Sequence, residues 1–133
     1  MVFTHLIEDE LSNRVTKMSK LTEFGKAVRK LRIDYDTNLN ELATSIGVSS
    51  AFLSAVETGK KPVSAELITK ITNALGLNKD EEKLLTHAAS QSVDDVVVRT
   101  NDAEEAEIAL MFARRIQSHS VNLAELRKIL EEN

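Results

Sequence analysis

Residues 39–58, LNELATSIGVSSAFLSAVET, hold two short apolar-periodic runs broken by one glycine, and no other stretch constrains the fold as much. Leu42, Ala43 and Ile46 recur at helical spacing before Gly47, and Leu53 and Val56 do so after it. Two helices meet at a tight angle there only if the joining residue lacks a bulky side chain and tolerates positive φ, as glycine does. Ala43, a small residue inside the first helix, lets the pair approach closely, and Val48, Leu53 and Val56 fix the second helix against it. The remaining face of that helix (Ser49, Ser50, Ala51, Ser54 and Ala55) is then turned outward. Such a corner also occurs in ordinary helical cores, so the rest of the chain has to decide.

The rest reads as helices with clear starts and stops. Phe24, Val28, Leu31 and Ile33 mark one from about Thr22 to Tyr35, with Thr22 as N-cap. Asn38 with Glu41 forms a capping box for the helix before Gly47, and Ser49 or Ser50 starts the helix after it. Ser64 caps a fourth helix, with Leu67, Ile68, Ile71 and Leu75 inward and Gly76 at its end. Asn78 with Glu81 caps a fifth, carrying Leu84, Leu85 and Ala88. After Ser90-Gln91-Ser92 the pattern lapses, and the β-branched run Val96–Val98 predicts one short extended segment near 95–99. Asp102 with Glu105 and Asn122 with Glu125 open two more helices. Leu6, Leu11 and Val15 mark a further helix over 5–17, and Met18 could serve as an alternative translation start. Four Gly and one Pro in 133 residues leave little punctuation for a many-turned β fold, so the expected class is all-α. The organisation reads as an N-terminal extension (1–18), a motif domain (19–90), and a linker with C-terminal helices (91–133).

The two helices around Gly47 form a helix-turn-helix pattern, in which the second helix enters the DNA major groove N-terminus first. Once the flanking residues are lined up, the chain resembles the lambda-repressor and Cro type of helix-turn-helix, the xenobiotic-response-element family. Gly25-Lys-Ala-Val-Arg-Lys-Leu-Arg32 is similar to that family's first helix. Glu41-Leu-Ala43, Ile46-Gly-Val-Ser49, Leu53-Ser-Ala-Val-Glu57, Gly59-Lys-Lys-Pro62 and Ala74-Leu-Gly-Leu77 follow in order and spacing, so the likeness spans roughly residues 22–77. It implies a compact five-helix domain that binds operator DNA, generally as a dimer. The family often has a Gln opening the first motif helix and touching a phosphate; Leu39 stands there, so that contact is not carried over.

Charge is distributed accordingly. The whole chain is -4, which taken alone argues against an indiscriminate polyanion binder, but residues 19–77 hold eight basic and six acidic side chains. The first eighteen residues balance to -1 and residues 78–133 to -5, so negative charge is concentrated in the tail. Ser49, Ser50, Ala51, Ser54 and Ala55 are the candidate base-edge contacts, through hydroxyl bonds and methyl–thymine packing. Asn40, Thr58, Lys60 and Lys61 are the candidate phosphate contacts. Phe52 either wedges against a thymine methyl or a sugar, or packs partly under the domain. Serines discriminate bases weakly, so some specificity is expected from DNA shape.

The C-terminal pair of helices is too small to bury its apolar faces alone. It is expected to form a helical hairpin that either packs on its own DNA-binding domain or, as favoured, meets a second copy through Ile108, Phe112, Ile116, Leu126 and Leu130. The partners expected are thus double-stranded operator DNA and a second copy, with a repressor as the leading reading. The alternative is an antitoxin that regulates its own operon and binds a small basic toxin through residues 94–133, where Asp102–Glu107 is acidic. An enzyme is not expected: His5, His87 and His119 lie in separate segments, and there is no Cys and no ligand-like spacing, hence no cofactor and no metal. Acids near the N-terminus (Glu8, Asp9, Glu10) do not suit a secretory signal, and no apolar run suits a membrane span, so a cytoplasmic protein is expected.

Overall fold

The computed structural model describes residues 20–92 and 95–132; the helix expected over 5–17 lies outside them. Seven helices follow one another among the described residues: α1 (Glu23–Asp34), α2 (Leu39–Ile46), α3 (Ser50–Glu57), α4 (Ala65–Leu75), α5 (Lys79–Ser90), α6 (Ala103–Gln117) and α7 (Leu123–Glu131). No strand forms among the described residues. They fall into two compact units that divide between Val97 and Val98.

In the first unit every helix starts where a short polar side chain can close its first turn. Thr22, Asn38, Ser49, Ser64 and Asn78 accept from the backbone N–H groups of Gly25, Glu41, Phe52, Leu67 and Glu81. Each such cap contributes about 1 kcal/mol. The Asn78–Glu81 capping box is complete, with both reciprocal bonds made. The one expected at Asn38 is only half formed, because the Glu41 carboxylate accepts from the Thr37 hydroxyl at 3.0 Å instead. Gly47 ends α2 at φ 76°, and a Cβ there would meet nothing within 4 Å. Backbone conformation, and not lack of room, is what selects glycine at the corner.

The core is aliphatic around one aromatic ring. Phe24, Val28 and Leu31 come from α1, Leu42, Ala43 and Ile46 from α2, Leu53 and Val56 from α3, Leu67 and Ile71 from α4, and Leu85 and Ala89 from α5. Fully burying the Val, Leu, Ile and Phe side chains among these stabilises by about 1.5–3 kcal/mol each, and the two alanines contribute less. α1 packs on α3 and α5, α2 on α3 and α4, and α4 on α5, so α3 is held from two sides. Two expected core positions are corrected. Ile33 is 71% exposed, because it lies two residues beyond Leu31 and so on nearly the opposite side of α1. Leu84 is 68% exposed, and the inner face of α5 runs from Leu85 to Ala89.

The second unit holds α6 and α7, capped by Asp102 on the Glu105 N–H at 2.8 Å and by Asn122 on the Glu125 N–H at 3.1 Å. Neither helix has a buried residue. The extended segment expected from Val96–Val98 does not become a strand: residues 95–100 are neither helix nor strand, and the three valines are exposed. A strand needs a neighbour to take its backbone hydrogen bonds, and none is present among the described residues.

Candidate nucleic-acid interface

α3 turns Leu53, Val56 and Glu57 inward and leaves Ala51, Phe52 and Ser54 exposed, with Ser50 and Ala55 half-buried at the margins. The exposed side chains other than Phe52 are small, so an opposing surface can approach the helix backbone closely. Phe52 is 39% exposed and is not part of the core. Ser49 sits just before the helix and its hydroxyl oxygen accepts from the Phe52 N–H at 3.0 Å, which leaves the hydroxyl proton free to donate outward. The Ser50 hydroxyl donates to Asn40 Oδ1, tying the start of α3 to the first turn of α2. That bond leaves the Asn40 amide NH₂ as a donor and the Ser50 oxygen as an acceptor.

The exit from α3 is equally ordered. Thr58 ends the helix, and its hydroxyl donates back to the Ser54 carbonyl at 2.9 Å. The Ala55 carbonyl accepts from both the Lys60 and the Lys61 backbone N–H groups, at 2.8 and 3.2 Å. Both lysine side chains are exposed and neither forms an ion pair among the described residues. Thr58, Lys60 and Lys61 thus follow directly on the helix that carries the residues expected to touch bases, and Asn40 meets the start of that helix from α2. Ile108, Phe112, Ile116, Leu126 and Leu130 belong to the other unit, where Leu126 is half-buried and the rest are exposed.

The position that sequence reasoning missed is the seat of α3. Glu57 is its only acidic residue and is 3% exposed. Its carboxylate meets the Arg32 guanidinium at 2.8 Å, while Arg32 Nε and Glu57 Oε2 have no hydrogen-bond partner. Burial pushes the Glu57 carboxyl above the usual carboxylate range, and the Arg32 and Arg29 guanidiniums pull it partway back. The Glu57 backbone carbonyl accepts from both the Thr22 N–H and the Thr22 hydroxyl, each at 3.0 Å. A Cβ on Gly25 would lie 2.1 Å from that same oxygen, so α1 and the end of α3 touch backbone to backbone. The outward face of α3 therefore carries no carboxylate. A glutamate closing an otherwise apolar and serine-rich helix was the one available sign that it is turned inward.

Among the described residues, no group of three or more His, Cys, Asp or Glu side chains could hold a metal ion. None of the described helices is long and apolar enough to cross a membrane.

The helix-turn-helix family matches at residues 28–81, which takes in α2, the Gly47 corner and α3. Among solved structures, the chain is similar to the clp gene regulator ClgR from C. glutamicum at 36% identity, over 55% of this chain and 92% of that one, with a TM-score of 0.44. No curated protein matches. Through the domain built on the Gly47 corner, the chain belongs to the lambda-repressor/Cro type of helix-turn-helix family, a family of DNA-binding transcription regulators.

Proposed function

We propose that this protein is a cytoplasmic, sequence-specific repressor that binds an inverted-repeat operator as a homodimer, with α3 in the major groove. The observation that supports this best is the small, carboxylate-free outward face of α3, followed at once by two exposed lysines. Ser49, Ser50, Ala51, Ser54 and Ala55 face base edges in this reading. Ser49 donates to acceptors such as guanine O6 or N7, and Ser50 accepts from an adenine or cytosine amino group. The Asn40 amide, Lys60 and Lys61 donate to phosphates on either side. Thr58 has to release its bond to the Ser54 carbonyl to do the same, which makes it the weakest of the four. Phe52, half-exposed beside Ala51, packs on a thymine methyl or a sugar.

Selection of bound sequences from random duplex DNA tests this. The expected product is an inverted repeat with half-sites about 34 Å apart, one helical turn. No enriched sequence would overturn operator binding, and an enriched lone half-site would overturn the dimer. The separate second unit, with exposed apolar helices and the acidic Asp102–Glu107 stretch, supports a second reading as an antitoxin. That reading predicts tight binding of a small basic protein that is lost when residues 94–133 are removed.

A further inference from the structure

We propose that α6 is the surface on which two copies of this chain meet, antiparallel and in one register. In that register Ile108 faces Phe112 of the second copy, and Glu105 faces its Arg115. This deepens the dimeric reading above and rests on it.

Four observations carry the inference. First, α6 buries nothing: Ile108 is 60% and Phe112 45% exposed, beside Met111 at 55%. An unpartnered apolar row of this kind is costly in water, and a two-helix unit is too small to cover it internally.

Second, Glu105, Ile108, Phe112 and Arg115 are spaced by three, four and three residues. At 100° per residue they fall within an arc of about 80°, the seam of a two-helix coil.

Third, the ends of that seam have opposite charge. Glu104 and Glu105 lie in the first turn of α6, and Arg114 and Arg115 in the last. None of these four forms an ion pair among the described residues.

Fourth, the pairs 105/115 and 108/112 share the same midpoint, position 110. One two-fold axis passing there generates both contacts twice, as an isologous interface requires. A parallel pairing would put Glu105 on Glu105 and Arg115 on Arg115, with like charges opposed. Acids at the start and bases at the end of a helix also suit its dipole. The dipole, however, asks neither for an exposed Ile–Phe pair nor for a common centre.

The chain has no cysteine, so introduced ones report proximity cleanly. Full-length Ile108→Cys and Phe112→Cys variants are mixed and oxidised mildly, with Ser90→Cys as the control. The expected result is a mixed 108–112 disulfide in several-fold excess over either same-site dimer. Dominant same-site dimers, or cross-linking no better than the Ser90→Cys control, would overturn the proposal.

Sedimentation supplies an independent reading. Arg115→Glu and Glu105→Arg should each weaken self-association by about tenfold, since each converts two facing pairs to like charge. The double variant should return to near the parent value, whereas additive weakening would refute the register. If the chain cross-links at neither site yet still fills both half-sites of its operator, the α6 register is wrong and the operator reading stands. If α6 is instead occupied by a small basic protein and the chain alone is monomeric, the second copy is the wrong occupant.

Discussion

Gly25→Ala sets two physical effects of opposite sign against each other. On helix propensity alone, alanine in the first turn of α1 should stabilise the domain by up to about 1 kcal/mol. In the structure, the added Cβ would stand 2.1 Å from the Glu57 carbonyl oxygen and 2.9 Å from its carbon. Both are backbone atoms, so relief requires α1 and the end of α3 to part by about 1 Å, and overpacking of this kind costs about 1–3 kcal/mol. The same movement stretches the two 3.0 Å bonds from Thr22 to Glu57, each contributing about 1 kcal/mol. The net expectation is a loss of about 2 kcal/mol, or a fall in Tm of roughly 10 °C for a domain of this size. Thermal and urea unfolding of the full chain, followed by far-ultraviolet circular dichroism, would measure it. Gly47→Asn is the contrasting control, because that site is strained only by its φ of 76° and asparagine tolerates the left-handed region. If Gly25→Ala unfolds at or above the parent temperature, the backbone contact between α1 and α3 is not as described.

Other outcomes follow from the same features. Arg32→Ala leaves the buried Glu57 carboxylate without its cation and should cost about 3 kcal/mol, while Arg32→Met with Glu57→Gln should recover part of that loss; urea midpoints decide. Because the folded state raises the Glu57 pKa above 4.5, the native form holds that proton more tightly than the unfolded chain. The stability this adds should be gained as pH falls from the raised value towards 4.5 and lost as pH rises through it, a slope that Glu57→Gln should remove. Glu81 is shifted the other way by the Tyr35 hydroxyl, so its contribution is present above 4.5 and fades only at lower pH, outside the Glu57 window. Lys60→Ala with Lys61→Ala should weaken binding to every duplex and flatten the salt dependence by about one unit of slope per lost phosphate contact, read by fluorescence anisotropy. An unchanged slope would remove both lysines from the interface.

The helix starts were legible because a cap is a local event: one short polar side chain and a backbone N–H three residues on. The outward face of α3 was legible for a similar reason, since Leu53 and Val56 mark the inner side by spacing alone. What escaped was non-local. Nothing near Glu57 in the chain announces Arg32, which is 25 residues away, or the carbonyl that shuts out a Cβ at Gly25. Ile33 and Leu84 misled because an apolar residue near a helix end or beside the true stripe satisfies the pattern loosely without facing the core. In α6 apolar side chains occur nearly all the way round, so periodicity could not name one buried face, and the isolated unit buries none.

The Ala55 carbonyl holds two consecutive lysine amides, and this reaches beyond the helix end. The exit loop is thereby fastened to the last turn of α3 instead of trailing from it, so the backbone at Lys60 and Lys61 moves with the helix. Their backbone positions are fixed relative to Ala51 and Ser54, and the ammonium groups reach out from there on flexible stems. A surface that fits one set is offered to the other without further ordering of the backbone between them. Lengthening this loop by a single residue would free the two lysines from the end of α3 and, in the proposed reading, uncouple phosphate contact from base contact.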